Sequence, residues 1–346
     1  MPDSIDIKLF KKPEIVEKKV DREDHQVFEK DMVYKIYSSK SNFILNNWVK
    51  FQQQWCNSAY AAFKDYDTYL ILIYLINRVW KSYNERLICF SLNDFYSAKE
   101  VIVEKISLVE ISKILSIPKE SIRRKINELE KKNILYRKKR KIYLNIDRCG
   151  VQKPINSIKS ISVFLSKSAD ILEKEEWFGK KPETEHIEKF ITKYFTKCWK
   201  DFLDLQILYL VRHRKMFGDI ETWHVWGSIA ASQFTDYHKD IKQSVISKPD
   251  DYPNLLDRIY KYKPKHGINA SSISDISGIP RATVMRKMKN LIKLKFIKKN
   301  KRNECLLRSE KETIKLIKKN YITTQKNISI FVSSIFNLIK NSNLKL

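Results

Sequence analysis

Two sets of side chains at matching positions have the chemistry to meet the edges of nucleic-acid bases. The first is Lys119, Glu120, Ser121, Arg123, Arg124 and Asn127, and the second is Arg281, Thr283, Met285, Arg286 and Lys289. Arginine can grip guanine through two parallel hydrogen bonds, asparagine can pair with adenine, and a glutamate can accept from a cytosine amino group. Each set is followed by a cationic cluster, Lys138, Lys139 and Arg140 in one case and Lys299, Lys301 and Arg302 in the other. Such clusters neutralise phosphates, which fixes position along a duplex and carries no sequence information.

The elements that must position these groups form an internal repeat. Ser107 to Leu135 reads SLVEISKILSIPKESIRRKINELEKKNIL, and Asn269 to Ile297 reads NASSISDISGIPRATVMRKMKNLIKLKFI. The copies align without a gap, so Ile111 lies over Ile273, Ile114 over Ile276, Ile117-Pro118 over Ile279-Pro280 and Leu129 over Leu291. Ser107 and Asn269 suit the N-cap of a short helix, and Glu110 completes a capping box in the first copy. Ile106 and Ile268, each ahead of its cap, pair with Ile111 and Ile273 at the spacing of a hydrophobic staple. That helix should end near Ser116 and Gly278, in a left-handed turn. Pro118 and Pro280 then open a second helix as its first-turn residues, where a missing N–H costs nothing. At 100° per residue the second helix has an apolar face of Ile122, Ile126 and Leu129, matched by Val284, Met288 and Leu291. Its opposite face carries the reading residues. A β-prone run, a basic tip and a second apolar run follow in both copies: Ile134 to Tyr136, then Arg137 to Lys141, then Ile142 to Leu144, and correspondingly Phe296-Ile297, Lys298 to Arg302 and Cys305 to Leu307.

Short helix, tight turn, proline-led helix and basic hairpin resemble the winged helix-turn-helix of bacterial regulators of the MarR and IclR types, whose turn-and-recognition segments are similar to SGIPRATVMRKMKNL. The resemblance covers roughly 40 residues per copy and is specific to a superfamily. It implies a mainly α fold with small β-hairpin wings, two winged helix-turn-helix domains joined by connecting and terminal helices, and double-stranded DNA as the partner.

The charge distribution agrees. The chain of 346 residues has 67 Lys plus Arg against 40 Asp plus Glu, a net charge of +27, which calls for a polyanionic partner. An Ile-, Lys- and Asn-rich composition by itself enriches lysine on solvated faces, but composition does not place charge. Arg123 to Lys141 holds ten Lys plus Arg and two acids, and Arg281 to Arg302 holds ten and no acid. The five cysteines are scattered and odd in number, which fits a reducing cytosol and argues against a disulfide framework or a cysteine-based zinc site. His213, His224 and His238 lack the close spacing of metal ligands. No signal-peptide core or membrane span is visible, so the expected location is cytoplasmic and nucleoid-associated.

Along the chain, 1–40 reads as a charged arm, and 41–149 as the first winged domain with a preceding helix. A connecting helical segment follows at 150–200, then the second winged domain with an insertion at 201–308, and terminal helices at 309–346. Thr68 to Trp80 is apolar nearly all round and should be the central helix of the first domain. Its LILIYL run has an echo in Ile207 to Leu210, which assigns the second domain a first helix of its own. From Glu183 to Leu205 the spacing of Ile187, Phe190, Ile191, Tyr194, Phe195, Trp199 and Phe202 predicts one long helix. Two terminal helices are predicted over 310–319 and 329–340. The helix over 184–205 and the last helix are the candidate surfaces for a homodimer.

The expected function is sequence-specific binding of double-stranded DNA, by a transcriptional regulator reading an asymmetric bipartite site. Tandem winged replication initiators of plasmid type and winged scaffolds of chromosome organisation are the alternatives. The halves differ where they should read: Glu120 aligns with Ala282, Arg123 with Met285 and Asn127 with Lys289. Ala282 and Met285 cannot make paired hydrogen bonds, which makes the second half the less selective on this reading. No phosphate loop, metal spacing or nucleophile-base pair suggests an enzyme, and no cofactor is implied.

Overall fold

The computed structural model describes residues 14–15, 28–103, 107–138, 141–148, 153–173, 181–242 and 252–342. The protein is mainly α. In chain order its elements are β1 (Glu14–Ile15), α1 (Lys30–Ser39), α2 (Ser41–Phe63), α3 (Tyr66–Glu85), β2 (Ile88–Cys89), α4 (Leu92–Ser97) and β3 (Glu100–Val103). Then come α5 (Leu108–Leu115), α6 (Lys119–Lys131), β4 (Leu135–Lys138), β5 (Lys141–Asn145), α7 (Ile155–Glu173), α8 (Thr184–Lys193) and α9 (Phe195–Phe217). The remainder is α10 (Ile220–Lys242), α11 (Tyr252–Lys261), α12 (Ala270–Ser277), α13 (Arg281–Lys293), β6 (Ile297–Lys299), β7 (Cys305–Leu307) and α14 (Lys311–Lys340).

The chain forms two compact units. One comprises Met1–Phe28, Asp67–Val211 and Phe331–Leu346, and the other Glu29–Tyr66 and Arg212–Ile330. In the first unit α3 is buried from Tyr69 through Ile76, as its all-round apolarity predicts. Trp80 packs edge-on against Phe95 and Phe195, each at 5.4 Å between ring centroids. The sheet order β3-β5-β4 is antiparallel throughout, with Val101 opposite Leu144 and Leu135 opposite Leu144 on its other side.

In the second unit α2 packs against α10, α11 and α12. Trp48, Phe51 and Tyr60 of α2 are buried, as are Trp223, Val225 and Ile229 of α10. Among the described residues of this unit two strands pair fully, β6 and β7, and a single bridge joins Ile268 to Cys305.

Four expectations from the sequence are corrected. The stretch 29–66, read partly as arm and partly as the preceding helix of the first domain, belongs to the second unit. Its amphipathic pattern encodes a face to be covered and says nothing of which core covers it. The Ile207–Leu210 echo does not open the second unit, because it lies with Leu72–Leu75 in the first; both stretches answer the same demand for an apolar buried helix. The helix predicted from 183 to 205 breaks at Tyr194, where Thr196 donates its N–H to Phe90 O at 3.1 Å and accepts from Phe90 N at its hydroxyl, 2.9 Å. The two terminal helices are one, α14. Its polar middle is helical because Thr324 accepts from Arg212 Nη2 at 2.6 Å and Asn320 bonds His213 Nε2 at 2.8 Å, so these residues face inward.

The apolar stripes offered as dimer surfaces are largely covered within the chain, with Ile330 of α14 exposed. Ile187, Phe190, Ile191, Phe195, Trp199 and Phe202 are buried, and so are Phe331, Ile335, Phe336 and Ile339. No described helix is long and apolar enough to cross a membrane.

Candidate nucleic-acid interface

The two repeats fold alike. Ser107 Oγ accepts from Glu110 N and Asn269 Oδ1 from Ser272 N, both at 3.0 Å, which starts α5 and α12 in the same way. Ile106, half of the proposed staple in the first copy, lies outside the described residues. Both helices end in a left-handed residue, Ser116 at φ 55° and Gly278 at φ 69°. Pro118 and Pro280 share φ −54° and ψ 136° and stand at the N-cap of α6 and α13. That moves them one residue upstream of the predicted first-turn position, because their extended ψ lies outside the helix.

A serine pair holds this turn. Ser112 Oγ donates to Ile117 O and Ser274 Oγ to Ile279 O, both at 2.7 Å. Sequence reasoning missed this lock, although its signal was present in the serine repeated at one offset. At the far end Asn133 and Lys295 both adopt positive φ, 53° and 64°, after which Ile134 N and Phe296 N return to Leu129 O and Leu291 O at 3.0 Å. Inside, Ile111, Ile117, Ile122, Ile126 and Leu129 are buried in one copy, and Ile273, Ile279, Val284, Met288 and Leu291 in the other.

The turn and the buried stripe together aim the opposite faces of α6 and α13 outward. Lys119, Glu120, Arg123, Arg124 and Asn127 are exposed and Ser121 is half-buried. Arg281, Met285, Arg286 and Lys289 are exposed and Thr283 is half-buried. Apart from Ser121 and Thr283, the candidate residues of each helix are therefore open to solvent. Their charge states differ between the helices. Glu120 pairs with Arg123 at 2.5 Å, Glu128 with Lys125 at 3.4 Å, and Glu130 with Arg137 at 2.9 Å, so each acid on α6 is engaged by a cation. Glu120 is thus tied to its own helix neighbour on the exposed face of α6. The α13 face has no acid, and Arg281 Nε reaches only Ser271 Oγ, 3.1 Å away.

No known protein family, characterised protein or solved structure matches the chain significantly.

Lys125 and Lys287 occupy one position of the repeat and are both turned inward, 16% and 12% exposed. Lys287 sits between Asp219 at 2.8 Å and Glu221 at 3.2 Å, at the start of α10. Asp219 also caps that helix, accepting from Thr222 N at 2.7 Å. Burial alone would raise the Asp219 carboxyl, but the Lys287 ammonium and the Thr222 N–H hold it below its ordinary value.

The hairpins carry the cationic tips. In the first, Lys138 is exposed and pairs opposite Lys141, and Tyr136 stacks on Tyr143 across the strands at 5.1 Å. Lys139 and Arg140 lie outside the described residues. In the second, Lys299, Lys301 and Arg302 are exposed. Its loop is organised by Glu304, which accepts from Gly267 N at 3.0 Å and Asn300 Nδ2 at 2.7 Å and is thereby held below the ordinary carboxylate range. A side chain at Gly267 would meet Cys305 O at 2.7 Å, so this close approach requires glycine. Gln233 ties the hairpin to the unit, donating to Ile259 O at 3.0 Å and accepting from Leu307 N at 3.1 Å.

His213 and His224 are engaged in hydrogen bonds. His213 bonds Asn320, and His224 lies between Tyr66 Oη at 2.6 Å and Asn57 Oδ1 at 2.9 Å, where burial pushes its pKa down to about 4. Among the described residues no cluster of histidine, cysteine or carboxylate side chains could hold a metal ion.

Proposed function

We propose that this chain binds double-stranded DNA sequence-specifically through two winged helix-turn-helix modules, with α6 and α13 as recognition helices and the β4-β5 and β6-β7 hairpins as wings. The observation that carries the reading is the matched pair of turns that leave a cationic helix face exposed at the same register in both units. An α-helix fits the major groove, which is about 12 Å wide. Arg124, Asn127, Arg286 and Lys289 are then the base-reading candidates. Lys119, Lys138, Lys299, Lys301 and Arg302 take phosphates. Because the faces differ, the site has two unlike halves, as suits a transcriptional regulator acting on an asymmetric sequence.

In-vitro selection from a random duplex library, with retained fragments retested across salt, tests this. The expected result is one bipartite, asymmetric motif bound with an affinity that falls steeply as salt rises, by a log–log slope of about 0.9 per phosphate neutralised. Arg124→Ala and Arg286→Ala should each relax one half of the motif, costing about 1–3 kcal/mol. Absence of duplex binding at low salt would refute the proposal. The genomic position of selected sites then assigns the process: promoters indicate transcriptional control, and clustered repeats at an origin indicate replication initiation.

A further inference from the structure

The α13 face contains an apolar element that an ordinary solvated helix has no use for. Met285 is 42% exposed, the one large apolar side chain so exposed on either α6 or α13. Ala282, three residues earlier and therefore on the same face, is exposed as well. Around them stand Arg281, Arg286 and Lys289, with no acid between Arg281 and Arg302. At the equivalent positions α6 has Glu120 and Arg123, closed on each other in an ion pair at 2.5 Å. One helix thus presents a salt-bridged pair where the other presents an apolar pair inside a cationic rim.

We infer that Ala282 and Met285 read thymine, by burying its C5-methyl group in the major groove, and that the second module discriminates by this apolar contact where the first uses hydrogen bonds. The inference rests on the DNA-binding reading proposed above. The rim of arginine and lysine selects a polyanion, and within the major groove the thymine methyl is the apolar feature that an alanine and a methionine can complement. Methionine suits the task because its unbranched, flexible thioether adapts to the position of the methyl. The second half-site is accordingly selective for T over C, although Ala282 and Met285 form no paired hydrogen bonds. Arg286 and Lys289 supply the polar contacts beside them.

The test uses the full-length chain and the selected duplex. The half-site read by α13 is identified first, as the half whose preference Arg286→Ala relaxes. Deoxyuridine is then substituted for thymidine in one half at a time, which removes the methyl and leaves every hydrogen-bonding group in place. Affinity should fall about four-fold per contacted thymine, the equivalent of one methyl-sized group left unburied. It should be unchanged when the substitution is made in the half read by α6. In Met285→Gln the difference between thymidine and deoxyuridine should shrink towards none, and circular dichroism should show the same helix content, since Met285 lies on the surface. A wild-type chain that binds the duplex with a steep salt dependence but ignores deoxyuridine would overturn this inference and leave the DNA-binding proposal standing. A Met285→Gln variant with undiminished deoxyuridine sensitivity would likewise overturn it. A chain that binds no duplex at low salt would sink both.

Discussion

Lys125 and Lys287 are the same residue of the same repeat, yet one pairs within its own helix and the other clasps the start of α10. The contrast extends across the two modules. The first is braced locally, by a three-stranded sheet and the stacked Tyr136–Tyr143 pair. The second has two strands and one bridge, and is braced from outside by Lys287 on Asp219 and Glu221, by Gln233 on Leu307, and by Thr313 donating to Lys295 O at 3.1 Å. One backbone can therefore be stabilised by its own strands or by the unit into which it is set. In the second case α13 is tied to the start of α10.

Removing the unequal braces should break the comparison most visibly. Lys287→Met leaves two partly buried carboxylates without their cation and should cost about 2 kcal/mol in denaturant unfolding. Lys125→Met removes a longer, 3.4 Å pair whose partner Glu128 is largely exposed, and should cost less, about 0.5 kcal/mol for that pair. Equal losses would show that the outside brace contributes nothing. The Lys287 effect has a defined pH dependence. The Asp219 carboxyl is depressed below its ordinary 3.8, so its contribution is present above that value and lost as pH falls through the lower folded-state pKa. The gap between wild type and Lys287→Met should close in that acid window and persist at neutral pH.

The features the modules share should respond alike. Ser112→Ala and Ser274→Ala each remove one 2.7 Å bond to a turn carbonyl and should each cost about 1 kcal/mol. A clear inequality between them would show that the turns are equivalent in shape but not in energetics. The smallest effect is expected at the left-handed positions. Ser116→Gly should stabilise the first module by about 0.5 kcal/mol, because glycine tolerates φ 55° but loses more freedom on folding. Gly278→Ser should destabilise the second by a similar amount, and thermal melts of the two variants check the pair of signs.

What could be read from the sequence was local. The caps at Ser107 and Asn269, the left-handed ends at Ser116 and Gly278, and the buried stripe on each of α6 and α13 depend on residues within a few positions of one another. The exposed positions followed directly from that stripe, which is why the candidate reading residues fell on one face. Long-range pairings were not legible. Nothing near Tyr194 announces that Thr196 will bond Phe90, more than a hundred positions upstream, and nothing in Asn320 or Thr324 announces Arg212. The helix expected to precede the first domain lies in the second unit, since an apolar face specifies burial without naming its neighbour. The ion pairing of Glu120 was open to inference from its spacing to Arg123, and it occupies the carboxylate that a cytosine contact would need.

The serine-locked turn and the left-handed residues Asn133 and Lys295 mark the two ends of a segment that enters and leaves each module with the same geometry. A stretch bounded in this way behaves as a cassette. Its outward residues can change without disturbing the chain on either side, so one scaffold carries two different surfaces in the same chain.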